Sequence, residues 1–219
     1  MARQPRAIRT RNAVLTAAAE VFARRGYEAA NIAEILAQAQ VTKGALYFHF
    51  ASKEELARGV LEHAVTGKVD HPVKVQALVD TALLLAHRLP NEPVLRGAAR
   101  LAADQGAGAF FGGPWPLWTA LTSEQLIEAK AAGEVYDYVD PAETAEVLVG
   151  AFTGLQLMAL ASGTAQGLVR LTAKVYELTL PGIAVPAVLR HIETSPERAE
   201  ALYERYREEQ RALQPEPAV

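Results

Sequence analysis

The sequence has 219 residues, no cysteine, 50% apolar residues and a formal net charge of −3. This balance is typical of a globular protein, and the chain is too hydrophobic to be intrinsically disordered. Without cysteine it can form no disulfide, no thiolate metal site and no thiol nucleophile. Because the first residues lack the apolar core of a secretory signal, a cytoplasmic location is the default expectation.

The charge is distributed unevenly along the chain. Residues 1–50 contain seven basic and three acidic residues, a net charge of +4, so the remaining residues carry −7. The first eleven residues contain four arginines and no acid: Arg3, Arg6, Arg9 and Arg11. This asymmetry indicates a basic module attached to an acidic body, although a solvated N-terminus would show the same charge pattern.

Residues 1–64 predict four helices in succession. Val14, Ala18, Val21 and Phe22 recur at the spacing of one helical face, and Gly26 follows the last turn as a stop signal. Three start signals then come in order: Asn31 with Glu34, Thr42, and Ser52 with Glu55. They predict a helix near 32–39, one over 42–47 and one from 52 to about 64.

The second and third helices are too short to be stable alone, so they must pack on the first. A short helix pair joined by a tight turn is typical of a helix-turn-helix head, whose second short helix enters the major groove. Any small helical subdomain would share the helix lengths. The basic N-terminal arm and the polar surface of the third helix favour the DNA-binding interpretation.

A specific family resemblance lies in these same residues. The run Val41-Thr42-Lys43-Gly44-Ala45-Leu46-Tyr47-Phe48-His49-Phe50, followed by Ser52-Lys53-Glu54-Glu55-Leu56, resembles the signature of TetR-type repressors over roughly residues 8–60. The opening residues and the stretch 152–156 also resemble the γ-butyrolactone autoregulator receptors of that family. The resemblance implies an all-α fold. It further implies a helix-turn-helix head with its basic arm over 1–51 and a ligand-binding and dimerisation body over 52–213. The Pro-Glu-Pro-Ala-Val end of the sequence separately predicts a disordered tail over 214–219.

The third helix carries groups suited to DNA. Thr42 and the Lys43 amide lie at a helix N-terminus, which favours phosphate, and Lys43 can also donate to guanine. Gly44 permits close approach to the groove. Phe48 and Phe50 are expected to be core residues that lock the head to the fourth helix. The residues expected to contact DNA are Arg6, Arg9, Thr42, Lys43, Gly44, Ala45, Tyr47, His49 and Lys53.

One head discriminates poorly, because a good base contact contributes only about 1–3 kcal/mol. Successive half-sites lie about 34–36 Å apart. A compact chain of this length has a radius of gyration of about 17 Å, so two half-sites require two chains. We therefore expect a homodimer on a palindromic operator of double-stranded DNA.

The body continues as helices without strand signals. The predicted helices are 73–89, 93–105, 116–132, 141–161, 167–179 and 196–212. Between Val147 and Val169 there are 23 residues without a charge, long enough for a membrane span. The Ser-Gly-Thr break at 162–164 favours two helices instead. We expect 141–161 and 167–179 to form the dimer interface as a four-helix bundle; an ordinary buried core is the alternative.

Residues 105–123 form a second uncharged segment, which contains both tryptophans. Such an apolar aromatic segment is expected to line a cavity for a small lipophilic ligand, unless the tryptophans are core anchors. The receptor resemblance implies that a tryptophan here packs on the ligand, and Trp118 fits better than Trp115. The candidate ligand-binding residues are Trp118, Thr153, Gln156, Phe110, Phe111, Leu121 and Thr122; Tyr136 and Tyr138 are weaker candidates.

No catalytic signature is present in the sequence. The five histidines show no metal-binding spacing, and the glycines at 106–112 lack the spacing and preceding strand of a dinucleotide loop. We expect no metal, no cofactor and no membrane partner; a helical enzyme is a distant alternative. The resemblance implies a cytoplasmic repressor, nucleoid-associated when bound to DNA and released by a γ-butyrolactone, butenolide or furan that moves the fourth helix. It would control secondary-metabolite or antibiotic biosynthesis. A pseudo-receptor or drug-sensing regulator responding to an antibiotic or pathway intermediate is the closer alternative.

Overall fold

The computed structural model describes residues 3–104, 113–162 and 167–212, with side chains from residue 7 onward. These residues form an all-α protein, as the sequence predicts. An isolated antiparallel bridge joins Val135 to Ala184, and a 3₁₀ turn spans Leu180–Gly182. The α-helices are α1 (Arg3–Ala29), α2 (Ile32–Ala39), α3 (Lys43–His49), α4 (Lys53–Ala64), α5 (Lys74–Arg88), α6 (Pro93–Ala103), α7 (Trp115–Ala131), α8 (Pro141–Ser162), α9 (Leu168–Thr179), α10 (Pro186–Leu189) and α11 (Pro196–Ala212).

The helix starts follow the capping residues that the sequence shows. The Asn31 side chain accepts hydrogen bonds from the Ala33 and Glu34 amides, at 2.7 and 3.1 Å. The Ser52 hydroxyl accepts from the Glu55 amide at 3.1 Å. These bonds satisfy amides that have no partner within a helix.

The sequence predicts a basic arm that precedes the first helix, but residues 3–11 are instead the first turns of α1. The predicted stop is nevertheless present at Gly26, where φ is 72° and ψ is 175°. Only glycine adopts this left-handed φ without strain. A last turn therefore follows at a new angle before α2.

The chain divides into two compact units. The first comprises residues 1–66 and 89–118, and the second comprises residues 67–88 and 119–219. In the first unit, α1 packs against α2, α4 and α6. A Cβ at Gly97 of α6 would lie 2.5 Å from the Ala19 carbonyl oxygen, so only glycine allows this close crossing of α6 with α1.

In the second unit, α5 is the central helix: twelve of its fifteen residues are buried. It packs against α9 and α11. A shared hydrophobic core includes Leu78, Leu83, Leu126, Leu148, Tyr176 and Leu202. Burial raises the pKa of the Tyr176 hydroxyl, because the charged form loses its hydration.

A buried ion pair joins α5 to α11. The Arg198 guanidinium donates to both Asp80 carboxylate oxygens, at 2.5 and 2.7 Å, and the Asp80 side chain is 1% exposed. Gln76 donates to the same carboxylate at 2.6 Å, and Arg198 also donates to Glu193 at 2.8 Å. The hydrogen bonds to Asp80 raise the pKa of Arg198. Because the charges are paired in two-point geometry, this network fixes α11 on α5.

Helix α8 is long and apolar enough to cross a membrane by length and composition. Only 11% of its most apolar 18-residue stretch is buried in the protein. Val147 is 64% exposed and Met158 is 66% exposed. These two residues lie on one face, since eleven residues correspond to three helical turns. The alternative of an ordinary buried core therefore does not describe this helix in the single chain.

We predict that Asp80→Asn lowers the free energy of unfolding by about 3–5 kcal/mol, because the Arg198 charge loses its buried partner. Urea unfolding followed by circular dichroism measures the change. The matched control is Asp70→Asn, whose carboxylate is 92% exposed and pairs with Lys74 at the surface. Because this pair is screened by solvent, its loss should change stability far less than loss of the buried pair. Equal effects of the two substitutions would contradict a structural role for the buried pair.

Candidate functional site

Helix α3 is held at both ends. The Thr42 hydroxyl accepts a hydrogen bond from the Ala45 amide at 3.2 Å, which caps its start. Leu46 is fully buried and Phe50 is 2% exposed. A Cβ at Gly59 of α4 would lie 2.9 Å from the Phe50 ring, so this glycine makes room for it. The anchors Leu46 and Phe50, four residues apart, fix one face of α3 in the core and leave the other face free.

The free face of α3 carries residues that the sequence predicts to contact DNA. Lys43, Gly44 and Tyr47 are exposed, and His49 is half-buried. Nothing lies within 4 Å of the position that a Cβ at Gly44 would occupy, so this position is open to a partner. The Lys43 ammonium lies 5.8 Å from the centre of the Tyr47 ring.

The prediction for Phe48 is wrong, whereas that for Phe50 is confirmed. Phe48 is 80% exposed, and its ring meets the His49 ring edge-on at 5.0 Å. The reason is helical geometry: two residues turn the chain by about 200°. If Phe50 and Leu46 face the core, Phe48 must face away from it. An exposed phenylalanine therefore extends the free face of α3.

The basic residues of the head fall into two groups. Arg24 and Arg25 pair with Glu34 of α2, at 3.4 and 3.6 Å, so their charge is partly neutralised within the head. Lys43 and Arg9 form no salt bridge with any residue that the structure describes, and both are exposed. Arg6 lies in α1, and its side chain is outside the described set.

Lys53 is engaged inside the head rather than free. Its ammonium donates to the Glu28 carbonyl oxygen at 3.1 Å and lies 4.6 Å from the centre of the Tyr27 ring. Arg11, which the list of expected contacts omits, lies 5.3 Å from the centre of the Phe50 ring. Its arginine–aromatic pair joins two segments far apart in sequence, so no local pattern reveals it. A phosphate contact by Lys53 stays a prediction.

Three of the candidate ligand-binding residues lie on α7. Trp118, Leu121 and Thr122 are half-buried and spaced three or four residues apart, on one face of the helix. Trp115 instead lies against Gly113, whose added Cβ would be 2.4 Å from the Trp115 ring. Phe110 and Phe111 fall outside the described residues. The choice of Trp118 over Trp115 stays a prediction.

Thr153 and Gln156 lie one turn apart on α8, and both are half-buried. The Thr153 hydroxyl donates to the Val149 carbonyl oxygen at 2.8 Å, so its proton is already used within the helix. In the described residues, no hydrogen bond or ring contact joins these two side chains to the α7 candidates. Their convergence on one ligand stays a prediction.

The sequence reasoning missed a buried polar pair. Gln125 is 2% exposed and donates to the Thr81 hydroxyl at 3.0 Å. Thr81 in turn donates to the Ala77 carbonyl oxygen at 2.8 Å. The available signal was spacing, since Gln125 follows Trp118 by two helical turns and shares its face.

The two weaker ligand-binding candidates, Tyr136 and Tyr138, contact each other. Tyr136 and Tyr138 stack with their ring centres 5.2 Å apart, and the Tyr138 hydroxyl donates to the Gly182 carbonyl oxygen at 2.9 Å. Tyr138 is 73% exposed. Over the described ranges, no group of three histidine or acidic side chains is placed to hold a metal ion.

Comparisons with known proteins match the head and the whole chain. Residues 14–60 match the family of bacterial regulatory proteins of the tetR type. The chain is 39% identical to the A-factor receptor protein of Streptomyces griseus, over 97% of this chain and 78% of that protein. This chain belongs to the TetR family. Its members are transcriptional regulators, so the chain is a ligand-responsive repressor and not an enzyme.

Solved structures agree in fold. TylP, a TetR regulator from Streptomyces fradiae, superposes with a TM-score of 0.84 at 38% identity, covering 91% of this chain and 98% of TylP. A γ-butyrolactone receptor superposes with a TM-score of 0.66 at 29% identity, covering 91% of this chain and 99% of that one. TetR regulators are soluble DNA-binding proteins, which bind DNA operators and small molecules as dimers.

Proposed function

We propose that this TetR-family repressor holds a palindromic operator as a homodimer and is released by a γ-butyrolactone, butenolide or furan. It controls secondary-metabolite or antibiotic biosynthesis and is nucleoid-associated while bound. The observation that carries the DNA-binding part is the free face of α3: an open glycine, an unpaired lysine and exposed aromatic rings on a helix that Leu46 and Phe50 fix in place. Residues 1–51 supply the DNA contacts, and residues 52–213 supply the ligand site and the dimer interface.

On this free face each side chain has a distinct role. Lys43 donates to a guanine edge or holds a phosphate, and Gly44 lets the α3 backbone approach the groove. Tyr47 and His49 reach backbone oxygens, and Ala45 meets a thymine methyl. The Thr42 hydroxyl and the helix N-terminus favour a phosphate. Arg6 and Arg9 on α1 add phosphate contacts that carry no sequence information.

The dimer interface in this proposal is formed by α8 and α9. Their exposed apolar side chains support it: Met158 is 66% exposed and Leu178 is 74% exposed. Large apolar side chains that a single chain leaves in water favour association with a copy of the same surface. A helix of this length and composition is covered by its twin in a four-helix bundle rather than by lipid.

The ligand site is proposed around Trp118. Two observations support this position. One structural relative of this chain is a γ-butyrolactone receptor. In this chain, Trp118 shares one half-buried face of α7 with Leu121 and Thr122. A lipophilic lactone suits aromatic and aliphatic walls with a few polar groups. Thr153 and Gln156 are the polar groups that we assign to orient it, with Phe110 and Phe111 as further apolar walls.

We predict that Lys43→Ala weakens operator binding at least about tenfold, because one contact is lost in each half-site of the dimer. The measurement is fluorescence anisotropy with a palindromic duplex selected from random DNA by the wild-type protein. Arg205→Ala is the control, since it removes one positive charge from an exposed position on α11. Undiminished affinity of the Lys43→Ala protein would exclude α3 as the recognition helix.

We predict that Met158→Glu raises the dimer dissociation constant at least about a hundredfold, because the symmetric interface would bury two unpaired carboxylates. Sedimentation equilibrium measures the association. Ile127→Glu places the same charge at a 56% exposed position on α7 and serves as the matched control. A Met158→Glu protein that remains dimeric would show that α8 is not in the interface.

We predict that Trp118→Ala leaves operator affinity unchanged but raises the lactone concentration for half-release at least about tenfold, because a large apolar contact is lost. The assay titrates synthetic γ-butyrolactones, butenolides and furans against the protein on labelled operator. Trp115→Ala, in the same helix, should respond like the wild type. Unchanged release of Trp118→Ala by an active compound would place the ligand site elsewhere. Release only by an antibiotic would favour the pseudo-receptor alternative.

A further inference from the structure

The last turn of α1 depends on a residue far away in sequence. The positive φ of Gly26 interrupts α1, and the Tyr27 amide lies directly after this interruption. The Asp104 carboxylate accepts a hydrogen bond from this amide at 3.1 Å. Asp104 is the C-cap residue of α6, and its own amide donates to the Arg100 carbonyl oxygen.

Stabilisation of α6 does not explain a carboxylate at this position. The C-terminal end of a helix carries partial negative charge, which disfavours an acidic side chain there. Asp104 lies at the ends of both α6 and α1. The hydrogen bond from the Tyr27 amide offsets this repulsion, because a charged acceptor forms a stronger hydrogen bond than a neutral one.

Glycine at position 26 is required by the same contact. A Cβ there would lie 3.2 Å from the Asp104 carboxylate oxygen and 3.9 Å from Nε of Arg100. The first of these distances is shorter than most contacts that a Cβ makes in proteins. Its φ of +72° would in addition strain any other residue. Gly26 and Asp104 therefore act as one unit.

The turn that Asp104 holds also supports the other helices of the head. The Tyr27 ring lies 6.0 Å from the Phe22 ring of α1 and under the ammonium of Lys53 at the start of α4. Burial, together with the charges of Glu54 and Glu28, raises the pKa of the Tyr27 hydroxyl. Four residues further on, Asn31 caps α2. The direction in which the chain enters α2 and α3 is thus set at this turn.

We propose that Asp104 is a positioning residue for operator binding: its hydrogen bond to the Tyr27 amide fixes the turn from which α2 and α3 meet DNA. Asp104 lies outside residues 1–51 and outside residues 14–60, the stretch that matches the family. The close crossing of Gly97 on Ala19 holds α6 against α1 while this bond is made. The inference rests on the proposed function, because its main readout is operator affinity.

The test compares Asp104→Ala, Asp104→Asn, Gly26→Ala and the double variant Gly26→Ala/Asp104→Ala, using the duplex selected by the wild-type protein. We expect Asp104→Ala to bind about tenfold more weakly. Asp104→Asn should bind within about threefold of the wild type, since its amide oxygen can accept the same hydrogen bond. The double variant should lose less affinity than the two single losses combined, because both changes break the same hydrogen bond and only the φ strain at position 26 is separate.

Amide hydrogen exchange supplies a second readout. The Tyr27 amide should exchange faster in Asp104→Ala than in the wild type, while amides in the core of α4 keep their protection and so report an intact fold. The control is Asp137→Ala, which removes the same charge from an exposed position in the other unit. It should change neither affinity nor exchange.

Three results would overturn the inference: Asp104→Ala binding as tightly as Asp137→Ala, losses that add in the double variant, or no recovery in Asp104→Asn. These results leave the proposed function intact, because the wild type still binds its operator. If the wild-type protein selects no palindromic duplex, the proposed function fails and this inference fails with it.

Discussion

The free face of α3 depends on the burial of two side chains, Leu46 and Phe50. A helix of seven residues is not stable in water, since the cost of nucleation exceeds what so few hydrogen bonds return. Helix α3 exists because these two residues enter the core of the head, where Gly59 leaves room for the Phe50 ring. The same burial turns Lys43, Gly44 and Tyr47 outward. Fold and function are therefore two consequences of one packing arrangement.

Much of the fold follows from local signals, because helix starts and stops are short-range chemistry. The three predicted capping residues cap the starts of their helices: Asn31, Thr42 and Ser52. Gly26 interrupts α1 at the position where Arg24, Arg25 and the glycine itself predict a stop. What failed was the side-chain assignment of Phe48. Composition marks a phenylalanine as core, but the register set by its neighbours Leu46 and Phe50 places it in water. Register decides such cases and residue type does not.

The site is less predictable than the fold for a related reason. The free face of α3 is readable because consecutive residues form it. The contacts of Lys53 with Glu28, of Arg11 with Phe50, of Gln125 with Thr81 and of Asp104 with Tyr27 join residues distant in sequence. No periodicity marks such a pair. The ligand site combines residues from more than one helix, so the sequence can nominate Trp118 but cannot show what meets it.

The net charge of −3 has a different meaning once the head is resolved. Two of the seven basic residues in residues 1–50, Arg24 and Arg25, pair with Glu34, whose charge the net +4 already includes. Among the residues whose side chains the structure describes, Arg9 and Lys43 form no salt bridge and are exposed. An acidic body repels phosphates except where these cations face them, which restricts the orientations in which the chain approaches DNA. A small positive surface on a negative protein thus favours selective docking over general adhesion to nucleic acid.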